Sequence, residues 1–306
     1  MSNTTDRVLL GVALLTTTAA LVLWLTGNVA LTRRGRIIAL CERQWSTQRA
    51  MAIVAGLDAM ATATAAQPDA AKLVCTVLLG SSEARSARAE PSLTRAAAFV
   101  VDRSALRASL MAQRAVAPSS DEKQLEWLWT TLVPSLPYKR RDKQWDRLGF
   151  QGNDPTTDFR SMAGVGLADL RHVVSAQRSL CARLVDDWSA GLSDPGAPPP
   201  TTLPLALTSI NASAWLWSLL EHPCRLLDRC LLARGATLAS YRELFVELFV
   251  GFCDEWTRRA PESVMAFEEV AAPYVARIRE HLRRGGEQLL PPDSADGARL
   301  KRGKQA

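Results

Sequence analysis

Few side chains in this chain are placed to do chemistry, and they gather in one short stretch. Residues 145–170 read Trp-Asp-Arg-Leu-Gly-Phe-Gln-Gly-Asn-Asp-Pro-Thr-Thr-Asp-Phe-Arg-Ser-Met-Ala-Gly-Val-Gly-Leu-Ala-Asp-Leu. Gly149, Gly152, Asn153, Asp154 and Pro155 favour an irregular turn. Phe150 and Phe159 can anchor such a loop to a core, and Thr157 or Asp158 can cap the helix that follows. Arg160 comes next, beside Ser161, Ala163, Gly164 and Gly166, all small enough to let a backbone or a ligand approach closely. A guanidinium in that setting suits an oxyanion, which its planar fork grips with paired, charge-assisted hydrogen bonds. The alternative is an arginine that pairs structurally with Asp154, Asp158 or the preceding helix, and spacing alone favours that second role.

Elsewhere the signatures of catalysis are missing. The sequence has no GxxxxGK[ST] phosphate loop, GxGxxG, GxSxG or HExxH. His172, His222 and His281 lie far apart in helical contexts. His222, Cys224 and Cys230 match no standard zinc spacing, so no metal site is expected. The six cysteines include no CxxC and read mostly as buried free thiols of a reducing compartment.

The elements that must position the central stretch read as helices. Good helix formers fill 33–67, which Pro68 ends, and 70–79 follows. Residues 80–91 read as a loop and 92–116 as a helix. Ser120 or Asp121 caps the next helix, whose Leu125, Leu128, Trp129 and Leu132 share a face. Beyond the central stretch, helices are expected over 167–188, 205–220, 224–233 and 241–256. In the last of these, Tyr241, Leu244, Phe245, Leu248, Phe249, Phe252 and Trp256 recur at helical spacing. A final helix begins at Pro261, is kinked or split at Pro273, and ends at Gly285-Gly286. No segment alternates as a strand would, so the fold class is all-α.

Composition sets the outer limits. The chain has 306 residues, 47% of them hydrophobic and 22% charged, and a net charge of +6. That is globular composition, which excludes fibrous and disordered classes. The excess charge is mild and does not by itself imply nucleic-acid binding, which needs charge gathered on one face, so no nucleic-acid partner is expected. Val8 to Leu31 carries no charge over 24 residues, about 36 Å as a helix against roughly 30 Å of hydrocarbon. Arg33, Arg34 and Arg36 follow it, which predicts a single-pass anchor with the C-terminal domain in the cytosol. The resulting division is a short non-cytosolic N-terminus over 1–7, an anchor over 8–31, juxtamembrane helices and a loop over 32–94, one helical domain over 95–288, and a basic, disordered tail over 289–306.

The central stretch resembles the signature of the ELMO domain, specifically of ELMOD-type proteins: W-x3-G-F-Q-x3-P-x-T-D-F-R-G-x-G-x3-L-x2-L. The chain supplies Trp145, Gly149, Phe150, Gln151, Pro155, Thr157, Asp158, Phe159, Arg160, Leu167 and Leu170, and departs where Ser161 and Ala163 replace glycines. Asp121 to Leu125 with Leu128-Trp129, Leu205 to Leu220, and Arg259 to Phe267 are similar to flanking parts of that family, so the likeness covers about residues 100–285. The resemblance implies a single ELMO-type helical domain. It also implies GTPase activation toward ARF-family or ARF-like small GTPases, with Arg160 as an arginine finger supplied in trans. Gln151, Asp154 and Asp158 would shape the loop. GTP and Mg²⁺ would belong to the partner, and the chain itself would need no cofactor and hold no independent active site. The competing expectation is a non-catalytic scaffold of the kind formed by larger ELMO proteins with exchange factors; this chain has no room for their extra domains and retains Arg160.

Overall fold

The computed structural model describes residues 99, 102–159, 161–192, 201–222 and 224–292. The predicted anchor at 8–31, the helices at 33–67 and 70–79, the 80–91 loop, the tail beyond 292 and Arg160 itself lie outside these residues. The chain divides into two units, Met1–Leu106 with Leu232–Thr237, and Arg107–Leu231 with Leu238–Ala306. In the first, the described residues 102–106 and 232–234 are helical. The second holds residues 145–170, and the helix Asp228–Arg234 is divided between the two units.

That unit is helical, with no strand among the described residues. Residues 107–115 form α1. Then come α2 (Glu122–Leu132), α3 (Ala163–Ala176), α4 (Arg178–Gly191), α5 (Leu205–Leu220), α6 (Asp228–Arg234), α7 (Leu238–Arg259) and α8 (Phe267–Arg283). Among the described residues, no helix is long and apolar enough to cross a membrane.

The core forms where α3 packs on α5 and α7. Helix α5 is apolar nearly all round, as a central helix must be; Leu205, Ala206, Ile210, Ala212, Leu216, Leu219 and Leu220 are all buried. The predicted stripe on α7 is buried in full, from Tyr241 to Trp256. Each such large side chain contributes about 1.5–3 kcal/mol by leaving water. Helix α8 packs on α7, and that joint holds a charge cluster. Glu255, 2% exposed, accepts from Arg258, Arg259 and Arg277. Burial opposes its ionisation, yet the three arginines pull its carboxyl down to about 2.

Several expected boundaries move. Asp121 rather than Ser120 caps α2, accepting from the Gln124 amide at 3.3 Å. The helix expected over 167–188 is two helices, α3 and α4, because Gln177 leaves helical geometry (φ −131°, ψ 45°). The turn lets α4 pack on the 143–148 segment, where Trp188 Nε1 donates to the Asp146 carbonyl at 2.8 Å. Helix α6 starts at Asp228 rather than at 224, after Arg225 takes a positive φ of 51°. Helix α8 starts at Phe267, after a 3₁₀ turn at Val264–Ala266, and runs through Pro273 without a break. The cysteines Cys181, Cys230 and Cys253 are buried free thiols, and Cys224 is an exposed one.

Candidate functional site

The stretch singled out by sequence is a loop built on a line of aromatic rings. Trp145 is fully buried in a 3₁₀ helix, Lys143–Leu148, which Asp142 caps by accepting from the Gln144 amide at 2.9 Å. Its indole meets Trp129 of α2 edge-on at 5.2 Å between centroids. On its other side it meets Phe150 at 5.5 Å, and Phe150 in turn meets Phe159 at 5.6 Å. Edge-to-face pairs of this kind add about 0.5–1.5 kcal/mol each beyond burial. The indole N–H is satisfied by the Lys139 carbonyl at 3.1 Å. Gly149 turns the chain between Trp145 and Phe150. Its φ is +83°, and a Cβ there would sit 2.5 Å from Cβ of Pro204, so no other residue fits.

The polar half of the loop hangs on two aspartates. Asp154 accepts at Oδ1 from the amide and hydroxyl of Thr156, at 3.0 and 2.7 Å, which caps the short turn Pro155–Thr157. The same oxygen accepts from Arg140 at 2.8 Å, and Oδ2 accepts from Arg141 at 3.1 Å. Partial burial works against its ionisation. The hydrogen bonds from Arg140 and Thr156 outweigh that, and the carboxyl falls to about 2. Pro155 is buried at the first position of the turn, where its missing N–H costs nothing. Asp158 accepts the Gln151 amide at 2.6 Å, closing the loop across seven residues. The Thr157 hydroxyl donates to the Asp154 carbonyl at 2.9 Å.

Neither Thr157 nor Asp158 caps α3, contrary to expectation. Its N-cap is Met162, with no side-chain cap; both polar residues are already bonded within the loop. What fixes the far end is backbone contact. Phe159 is 1% exposed, and its carbonyl accepts from Met162 at 3.0 Å. The Ser161 carbonyl accepts from Arg114 Nε at 3.0 Å, and that guanidinium also lies over Trp217 at 5.1 Å. Arg160 therefore joins a residue sealed in the core to one whose carbonyl is tethered to α1. Ala163, at one of the two departures from the glycine pattern, has φ +44°, a conformation glycine favours. The next residue, Gly164, meets α1 with no room to spare: a Cβ would lie 2.3 Å from the Gln113 carbonyl oxygen. Its own N–H donates to the Val116 carbonyl at 3.1 Å.

The structure thus brings together Trp145, Gly149, Phe150, Gln151, Asp154, Pro155, Thr157, Asp158 and Phe159 in one loop. Sequence reasoning missed Arg140 and Arg141, although the basic run 139–143 stands directly before the motif. It also missed Arg114, for which the sequence carries no signal. Among the described residues, no three His, Cys, Asp or Glu side chains are grouped to hold a metal.

Residues 109–271 match the model of the ELMO/CED-12 family. The chain is 32% identical over 161 residues to ELMO domain-containing protein B of Dictyostelium discoideum, covering 52% of this chain and 53% of that protein. It is 27% identical over 185 residues to ELMO domain-containing protein 1 of Mus musculus, covering 56% of each. With ELMO domain-containing protein 2 of Mus musculus it shares 28% over 165 residues, covering 53% and 54%. The chain spans about half the length of the curated relatives it matches. No solved structure matches it.

Proposed function

The chain belongs to the ELMO/CED-12 family as an ELMOD-type member, and on that premise we propose that it is a GTPase-activating protein for ARF-family or ARF-like small GTPases. Arg160 is the arginine finger, supplied in trans. As the bond to the γ-phosphate loosens, negative charge spreads over the phosphoryl oxygens, and a guanidinium already in place stabilises it without reorganising. Such a finger is worth about 10³–10⁵ in turnover. GTP and Mg²⁺ are the partner's, and this chain completes the partner's site.

The observation that carries the reading is the pinning of the loop on both sides of Arg160: Phe159 in the aromatic line, and Ser161 held by Arg114. A finger gains from residues that hold its backbone before the partner arrives, since less ordering is left to the transition state. Gln151, Asp154 and Asp158 act on the loop's shape. The apolar run at 8–31 anchors the domain, proposed at 95–288, to a membrane with its bulk in the cytosol. Confinement to the surface where lipidated GTPases sit raises the encounter rate.

The test is single-turnover GTP hydrolysis by a panel of ARF-like GTPases with the full chain. Arg160→Lys abolishes the acceleration while leaving helical circular dichroism unchanged. Acceleration that survives the substitution refutes the finger. A chain that accelerates no GTPase but retains an exchange factor is the scaffold instead.

A further inference from the structure

Apart from the motif loop, the second unit carries a cavity of about 500 Å³, lined by both apolar and polar side chains, whose polar groups have no assigned use. Gln113 of α1, Gln124 of α2, Arg171, His172 and Ser175 of α3, and Arg242 of α7 line it. Two of these are guanidinium groups, Arg171 exposed and Arg242 half-buried, and the carboxylate that acts on Arg242 is the buried Asp169. Arg171 lies over the Trp127 ring at 5.2 Å, which orients the side chain without satisfying its N–H groups. Arg242 is more exacting, because its Nε is buried with no hydrogen-bond partner. A buried donor left unmade is costly, so this guanidinium gains from any added counter-charge at its remaining N–H groups.

The acidic groups nearby do not fill that role. Asp121 borders the cavity, but its carboxylate is committed to the start of α2, accepting from the Gln124 amide and side chain. Asp169 is 2% exposed and accepts the Ser213 hydroxyl at 2.9 Å. Burial pushes its carboxyl up, against the pull of Ser213 and Arg242, which makes it a weaker counter-charge to Arg242 than an ordinary aspartate. His172 is held below its usual value by burial and by Arg242, although Glu243 opposes this.

We propose that this cavity is a binding site for a small ligand bearing an oxyanion, a phosphate or a carboxylate group. Arg242 and Arg171 grip the anion, and His172, Gln113 and Ser175 offer hydrogen-bonding groups around it. A guanidinium fork suits either oxyanion. The proposal makes no use of Arg160 and stands whether or not the chain activates a GTPase.

The experiment follows thermal unfolding of the full chain with inorganic phosphate, pyrophosphate and citrate, each against sodium chloride at matched ionic strength to remove general screening. At least one probe raises the midpoint saturably below about 10 mM, and whether a phosphate or citrate does so identifies the class. Arg242→Gln and Arg171→Gln each weaken that binding at least about tenfold, roughly one charge-assisted contact. Arg183→Gln, an exposed change on α4 outside the cavity, leaves it unchanged. Absence of saturation with all three probes overturns the proposal, and so does parental affinity in Arg242→Gln. Should Arg242→Gln lose its helical circular dichroism, the exposed Arg171→Gln decides alone, and unchanged affinity in it overturns the site.

Discussion

Replacing Asp154 by Asn removes a charge from the motif loop and the acceptor that Arg141 uses, while the remaining Asn oxygen can still cap Pro155–Thr157. The cost follows from the carboxyl's displacement. Its ordinary value of 3.8 falls to about 2 in the fold, and each unit is worth about 1.4 kcal/mol, giving roughly 2 kcal/mol in all. The side chain is 19% exposed and Arg140, its nearer partner, 21%, so solvent screens the pair only modestly. Arg141 is 74% exposed and adds little. The sign is that of a depressed acid. The contribution is complete above 3.8, the unfolded value, and disappears as pH falls through 2. Urea unfolding followed by tryptophan fluorescence therefore shows Asp154→Asn about 2 kcal/mol less stable than the parent at pH 6, and about half that at pH 3. In an Arg140→Gln background most of the difference is gone. A gap of equal size at pH 6 and pH 3 would refute the reasoning, because the loop would then depend on the shape of Asp154 and not on its charge.

Two other substitutions probe neighbouring features. Ala163→Gly relieves a left-handed backbone worth about 1–2 kcal/mol and adds about 0.5–1 kcal/mol of unfolded-chain freedom. It raises the melting temperature slightly, and a clear fall would show that the Ala163 methyl makes contacts that matter more than its φ. Asp169→Asn tests a raised acid, whose sign is the reverse. A buried neutral carboxyl leaves the parent fully stable below 3.8, and stability is lost as pH rises toward 7. The variant thus gains on the parent between pH 4 and 7, by about 1.4 kcal/mol per unit at most, and holds its lead above pH 8. Denaturant midpoints across that range check this, and a constant offset would contradict it.

Much of the scaffold was legible because the core helices keep their period. The α7 stripe was read residue by residue, and α5 was plain from its mainly apolar composition between Pro204 and Pro223. The split at Gln177 was not, since Val-Val-Ser-Ala-Gln-Arg-Ser-Leu has neither proline nor glycine. The turn is imposed from outside, by the site that Trp188 reaches beside Asp146. In the loop, the aromatic anchors showed in sequence because large apolar side chains amid turn residues have few other uses. The clamp on Asp154 did not, because pairing between Arg140 and a residue fourteen positions away is a product of the fold. The same holds for Arg114, whose partner is a backbone carbonyl and leaves no trace in residue type.

The junction at Gly164 has a mechanical side. Most helices are separated by a layer of side chains that can change rotamer and absorb a shift, but here the backbones of α1 and α3 touch. A push on α1 has nothing soft to compress, so the first turn of α3 must travel with it, and with that turn goes the downstream anchor of the motif loop. Anything that grips α1 from outside thereby holds a stiff lever on the segment around Arg160.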